Sequence, residues 1–348
     1  MTQDSSGNPS LKTVNVPVLD RKAIIYDPPQ TLLSTHYVTA CTMATSTFAL
    51  LLAAFYALQN PQDGGAPFCS STLPPWHERS MITAHTISFG CTICSTLINI
   101  FNLFGEKGAL QDNVDYKKNV NSVVMTIITI NGILGMSQGL SFFHLNGAEK
   151  SYCIDAFGFK SPLIQWAEWQ ISVPLMMYLI ITLDTRKTQF SFEDYAIIIL
   201  SYLCILLAFS LNWNIVARGH GIILALSSIC MFASILMLVA SSRRKYNNAI
   251  HSSIDYSDRR LFKALEMHIA MTSYYSSLFI ALSFTLFPLV YYLAIFKICA
   301  PDVITIVIQY LNFVVKICFS VILFRGHMSI LDPNTYDLEI QRRCNDAR

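Results

Sequence analysis

Two ionisable side chains lie deep inside long apolar runs of this chain, and their types could support covalent chemistry. Lys316 lies in the second half of the run from Val303 to Phe324, and Glu168 lies in another run. A desolvated amine is nucleophilic toward carbonyl compounds and can form a Schiff base, whose protonated form needs an anion nearby. The same two residues could instead form a buried ion pair that holds two helices together. The residues alone leave both interpretations open.

The composition indicates that these runs lie in lipid. The 348 residues are 53% hydrophobic and 13% charged, with a mean hydropathy of +0.44, whereas a soluble domain carries roughly twice that share of charge. The net charge of +2 and the lack of a basic stripe predict no nucleic-acid partner. The ten cysteines show no CxxC pairing with histidines, so no metal is expected.

Eight segments are apolar and long enough to cross a bilayer core of roughly 30 Å, which needs about 20 residues of helix. The predicted spans are 34–59, 80–104, 120–143, 162–184, 193–212, 219–240, 268–297 and 302–324. Polar stretches rich in Gly, Pro, Asn and Asp separate them. The sequence therefore predicts an all-α membrane protein with eight spans, surrounded by membrane lipid.

Basic residues alternate between the loops and predict the orientation of the spans. A long loop at 241–267 carries Arg243 and Arg244, and the other basic loops fall on the same side. This side is predicted to be cytoplasmic, with both termini inside and the protein in the plasma membrane. The opposite loops hold Cys69 and Cys153, which could form a disulfide in the oxidising exterior or remain free thiols.

His85 lies one turn into the second predicted span, near its outer end. An imidazole at such a position usually reaches the polar boundary of the bilayer. We therefore expect His85 to be interfacial rather than part of a site.

The fourth predicted span, in its stretch Gln165–Leu175, resembles the third core helix of the microbial (type I) rhodopsins. Both place a carboxylate, here Glu168, before a tryptophan, then a hydroxyl residue one turn on, then Pro-Leu. The seventh span resembles the aromatic-and-proline wall of the family's sixth core helix through Phe284, Phe287, Pro288 and Tyr291. The last span places Lys316 where the family carries its retinal lysine.

The resemblance covers roughly 80–325 and implies a seven-helix, retinal-binding rhodopsin domain, to which span 34–59 adds an N-terminal helix. It implies all-trans retinal bound as a Schiff base on Lys316, with Glu168 as counterion. The other residues implied at the site share contact with the chromophore or the counterion. Trp169 would lie flat against the polyene, with Phe284 and Tyr291 on the other side. Ser172 would bond the carboxylate or the Schiff base proton. Pro288 would kink its helix and make room for the chromophore.

The sequence departs from the family pattern near the Schiff base. Asn312 replaces an aspartate that is common one turn before the lysine, and Phe287 replaces a tyrosine that commonly bonds that aspartate. Gln165 replaces an arginine one turn before the counterion. These changes leave Glu168 as the sole close counterion and predict red-shifted or pH-sensitive absorption. Leu179 replaces the second carboxylate of proton pumps, so efficient outward pumping is not expected.

The eight-span arrangement resembles the membrane module of the enzyme-linked rhodopsins, which implies a light sensor. Residues 1–33 would be a cytoplasmic segment, and 326–348 a cytoplasmic linker that signals to a C-terminal effector and suits a homodimer. The chain holds no motif for soluble catalysis, so it is not expected to be an enzyme itself.

Three other functions stay open. One is a light-gated ion channel, for which the scarcity of carboxylates in the spans favours anions over cations. Polar residues of the third span could line its path or simply bond between helices; they are Thr126, Thr129, Asn131, Ser137 and Gln138. A proton pump comes after the channel. A transporter without retinal, holding a structural Lys–Glu pair, is the last alternative.

Overall fold

A computed structural model describes residues 75–105, 114–146, 153–154, 160–161, 163–183, 190–211, 219–254 and 260–328. This part of the chain folds into seven helices: α1 (Pro75–Gly105), α2 (Val114–Asn146), α3 (Leu163–Thr182), α4 (Phe192–Ser210), α5 (His220–Ile254), α6 (Arg260–Ile295) and α7 (Pro301–Met328). Two short strands, β1 (Cys153–Ile154) and β2 (Lys160–Ser161), pair antiparallel between α2 and α3. The predicted segments 1–33 and 34–59, Cys69, and residues 329–348 of the predicted linker lie outside the described residues.

Within the described residues, six helices are long and apolar enough to cross a membrane. The remaining helix, α3, has 20 residues and is therefore about 30 Å long. Its hydropathy is lowered by Gln165, Glu168 and Gln170, all of which are buried. The predicted all-helical membrane fold is confirmed, but the predicted count of eight spans is not reached in this part of the chain.

The helices form a closed ring in which each packs against its sequence neighbours and α1 packs against α7. Helix α3 also contacts α6, and α2 also contacts α7. The main core cluster includes fully buried side chains of α2, α3 and α7, among them Ile127, Met176, Leu179, Ile180 and Phe319. The polar residues of α3 are therefore screened from lipid by neighbouring helices.

The prediction of a loop at 241–267 is wrong for most of that segment. Helix α5 continues to Ile254 and α6 begins at Arg260. Lysine and arginine are good helix formers, so a polar stretch next to an apolar helix can continue the same helix. The two helices have 35 and 36 residues. With a rise of about 1.5 Å per residue, each is roughly 50 Å long. They therefore extend beyond a bilayer core of about 30 Å.

Contacts with the rest of the bundle hold the extension of α5 in place. Arg244 of α5 forms an ion pair with Glu193 at the start of α4, and the rings of Tyr246 and Tyr274 stack with centroids 5.4 Å apart. The ion pair is largely exposed, so it contributes at most about 1 kcal/mol. The extension of α5 is thus packed against α4 and α6 at one end of the bundle.

Candidate functional site

Lys316 of α7 and Glu168 of α3 form an ion pair in the interior of the bundle. The Nζ atom of Lys316 donates to Oε1 of Glu168, and the two side chains are 2% and 0% exposed. A single buried charge would be very unfavourable, whereas a paired one is tolerated when its remaining bonds are satisfied. The two residues that the sequence analysis singled out are therefore brought into direct contact.

Two further side chains complete the surroundings of the carboxylate. Ser172, one turn along α3, donates from Oγ to Oε1 of Glu168 over 2.8 Å. Asn312, one turn before Lys316 on α7, donates from Nδ2 to Oε2 over 3.0 Å. The helical period places each donor on the same face as its ionisable neighbour. Both oxygens of Glu168 thus accept hydrogen bonds, as an ionised carboxylate can.

A partly open cavity lies against Lys316. Its lining residues come from α3 to α7: Trp169, Val173, Met177, Ser201, Cys204, Ile205, Met231, Ser234, Phe284, Phe287, Asn312, Val315 and Lys316. The hydroxyls of Ser201 and Ser234 donate to backbone carbonyls at 2.7 and 2.9 Å. The cavity wall is therefore mostly apolar apart from its end at Lys316.

Aromatic rings form one wall of this cavity. The ring of Trp169 meets that of Phe287 edge-on, with centroids 5.6 Å apart, and Phe287 meets Phe284 edge-on at 6.1 Å. Trp166 packs behind Trp169 at 5.2 Å. Such edge-to-face pairs favour fixed ring orientations. The wall is thus a preorganised aromatic surface rather than a set of loose side chains.

The predicted site residues fall into three groups. Those that line the cavity are Lys316, Trp169, Phe284, Phe287 and Asn312. Glu168 and Ser172 adjoin it through the ion pair. Pro288 lies inside the continuous helix α6, and Tyr291 packs beside Ala294 and Ile304 in a neighbouring cluster. The last two are therefore near the wall but outside the lining.

The sequence analysis missed the contribution of α4 and α5 to the cavity. Ser201, Cys204 and Ile205 come from α4, and Met231 and Ser234 come from α5. The sequences of both helices resemble ordinary apolar spans, because residues that face lipid and residues that face the cavity are both apolar. The only available signal was the small polar residues within these runs.

His85 and several polar residues of α2 lie inside the helix bundle. His85 is fully buried, and its Nδ1 lies 2.6 Å from Oε1 of Gln138, so the expectation of an interfacial histidine is wrong. The ring thus bonds the amide oxygen of Gln138 inside the bundle, and the amide nitrogen of Gln309 on α7 lies 3.1 Å from the same ring nitrogen. Asn131 donates to Ser95 over 3.3 Å and accepts from Ser320 over 3.1 Å. Asn131 and Gln138 thus take part in hydrogen bonds between helices.

Comparisons with known proteins agree on one family. Residues 83–330 match the family model described as bacteriorhodopsin-like protein. The fold is similar to the thermophilic rhodopsin from Rubrobacter xylanophilus, with a TM-score of 0.53 and 15% identity over 72% of this chain and 98% of that one. It is also similar to the transmembrane domain and linker region of Salpingoeca rosetta rhodopsin phosphodiesterase, with a TM-score of 0.53 and 12% identity over 89% and 96% of the two chains. No curated protein sequence matches the chain.

Proposed function

The chain belongs to the bacteriorhodopsin-like family of microbial rhodopsins, and we propose that it is a retinal photoreceptor in which Lys316 carries the chromophore and Glu168 is the counterion. The observation that carries this proposal is the buried contact between Lys316 and Glu168 at the edge of an apolar cavity. The amine would condense with an aldehyde, forming a carbon–nitrogen double bond and releasing water. The carboxylate would then neutralise the protonated linkage in a low-dielectric interior.

The residues present fit a retinal chromophore. The cavity has apolar and aromatic walls and a primary amine in its lining. Bound all-trans retinal supplies the absorption of visible light and a double bond that isomerises. Trp169, Phe284 and Phe287 would hold an apolar chain and exclude water, because their rings are already packed against one another.

The residues around Glu168 would keep the counterion in place. Ser172 and Asn312 each donate a hydrogen bond to one carboxylate oxygen. Neither side chain is charged, so Glu168 is the one anion in direct contact with Lys316 among the described residues. This supports the proposal that Glu168 alone tunes the charge of the linkage.

We further propose that the photoreceptor is a light sensor, with both termini in the cytoplasm and a C-terminal effector as its output. The extended ends of α5 and α6 and the course of α7 to Met328 support this proposal, because they could carry a helix movement beyond the bilayer. Likeness to the membrane domain of a rhodopsin phosphodiesterase also supports it. Leu179, fully buried in the apolar core, offers no group for an internal proton donor, which argues against a pump.

A light-gated ion channel is the second candidate. It is favoured by the polar side chains that meet between α2 and α7, where Ser320 bonds Asn131 and Gln309 bonds Gln138. Photocurrents from the full chain in a voltage-clamped cell would distinguish the two functions. Passive currents that reverse with the ion gradient would favour the channel, whereas a sensor should give none.

The test of the chromophore is a visible absorption spectrum of the purified protein made with all-trans retinal, before and after hydroxylamine in light. A visible band that hydroxylamine bleaches would support the Schiff base on the protein. Absence of such a band would leave the Lys316–Glu168 contact as a structural ion pair and would reject the proposal.

A further inference from the structure

Three helices of the ring bring a histidine and two glutamines together away from the cavity. His85 of α1, Gln138 of α2 and Gln309 of α7 are each at most 1% exposed. His85 Nδ1 lies 2.6 Å from Gln138 Oε1 and 3.1 Å from Gln309 Nε2, which itself donates to Gln138 Oε1. We call these three residues the buried triad.

The contacts within the buried triad leave several polar atoms unpaired. Oε1 of Gln138 can only accept, so the contact with His85 places the ring proton on Nδ1 and leaves Nε2 as an acceptor. Gln309 Nε2 is itself a donor, so it bonds Gln138 Oε1 and not the ring. His85 Nε2, Gln138 Nε2 and Gln309 Oε1 have no hydrogen-bond partner among the described residues. A buried polar group without a hydrogen-bond partner is unfavourable. Three such atoms at one helix junction are therefore expected to bond a further molecule.

The serines beside the buried triad point to the same conclusion. Ser88 is three residues from His85 and Ser141 is three residues from Gln138, so each shares a helix face with a triad member. Both hydroxyls are buried and unpaired among the described residues. The atoms without partners thus include acceptors, at His85 and Gln309, as well as donors. Water can satisfy both kinds at once, whereas an anion would satisfy the donors alone.

We propose that the buried triad holds ordered water inside the membrane, at the junction of α1, α2 and α7. Gln309, Asn312 and Lys316 occupy positions i, i+3 and i+7 of α7, so they share one buried face. Gln309 and Lys316 are about 10 Å apart along the helix axis, and Asn312 lies between them and bonds Glu168. The water would therefore lie on the same polar line as the ion pair, at its end toward the N-terminus of α7.

The test is water-edited solid-state NMR on the full chain, labelled with ¹⁵N-histidine, in lipid bilayers. The variant His85→Asn identifies the His85 signals. The spectra are recorded with and without retinal and in chloride and in sulfate buffer, so the outcome does not depend on chromophore binding. We expect early transfer of water magnetisation to the His85 ring, with the shift of a hydrogen-bonded Nε2, in every condition.

Two variants sharpen the test. Gln309→Leu removes an acceptor and should slow the transfer to His85 while the protein keeps its helical circular dichroism. Ser276→Ala removes another buried hydroxyl, on α6, which has no hydrogen-bond partner in the described part of the chain, and should leave the transfer unchanged. No early transfer in the unmodified chain would overturn the proposal. A ring shift that appears only in chloride would also overturn it, in favour of an anion.

Discussion

The amide of Asn312 donates to Oε2 of Glu168 over 3.0 Å, while Lys316, one turn further along the same helix, donates to Oε1. One carboxylate thus receives a neutral donor and a cation from a single face of α7. At this position a neutral residue adds no second negative charge next to Lys316. The balance of one anion against one cation leads to the first two predictions.

Asn312→Asp should shift the visible absorption to shorter wavelength at alkaline pH. A second ionised carboxylate near the linkage would stabilise the positive charge in the ground state more strongly. Two carboxylates this close compete for one proton, so the shift should fade as the pH falls and one becomes neutral. Absorption spectra across pH measure this. Asn312→Gln keeps a neutral amide and should show no such shift; an unchanged spectrum in Asn312→Asp at high pH would contradict the prediction.

Glu168→Gln should shift the absorption to longer wavelength. The amide cannot neutralise the cation, so the protonated linkage should lose its proton at a lower pH than in the unmodified protein. A pH titration of the visible band measures both effects. Glu193→Gln is the matched control, because Glu193 pairs with Arg244 at the exposed end of α4. If Glu168→Gln titrates like the control, Glu168 is not the counterion.

Lys316→Ala should abolish the visible band, because no other lysine among the described residues lines the cavity. Reconstitution with retinal followed by an absorption spectrum measures the loss. Lys297→Ala removes an exposed lysine after α6 and should keep the band. A retained, hydroxylamine-sensitive band in Lys316→Ala would move the attachment site elsewhere.

Trp169→Ala should weaken chromophore binding and stability together. The substitution removes the edge contacts with Trp166 and Phe287, and tryptophan-to-alanine changes in cores cost about 3–5 kcal/mol. Faster bleaching by hydroxylamine and a lower Tm are expected. Trp76→Ala, at an exposed position of α1, should change neither quantity by a comparable amount. Equal effects of the two variants would argue against a wall formed by Trp169.

The sequence indicated that Lys316 and Glu168 lie close together, because a charged side chain in an apolar run has few alternatives to a charged partner. The helix positions followed from the length of the apolar runs. The ends of α5 and α6 did not, because a polar sequence can form either a helix or a loop. The cavity residues of α4 and α5 could not be found, because an apolar residue does not reveal whether it faces lipid or a ligand. His85 was misjudged because its partners, Gln138 and Gln309, lie 53 and 224 residues away along the chain.

The long separation between Glu168 and Lys316 bears on how the protein is made. The two residues are 148 positions apart, so α3 is synthesised well before α7 exists. A charged residue near the centre of a membrane helix costs about 2.5–3.5 kcal/mol on insertion scales, and α3 carries Gln165 and Gln170 beside Glu168. We therefore expect α3 to stay at the translocon or beside its earlier neighbours until α7 arrives. Truncation before α7 should then leave α3 inefficiently inserted, which glycosylation mapping of nascent chains would detect.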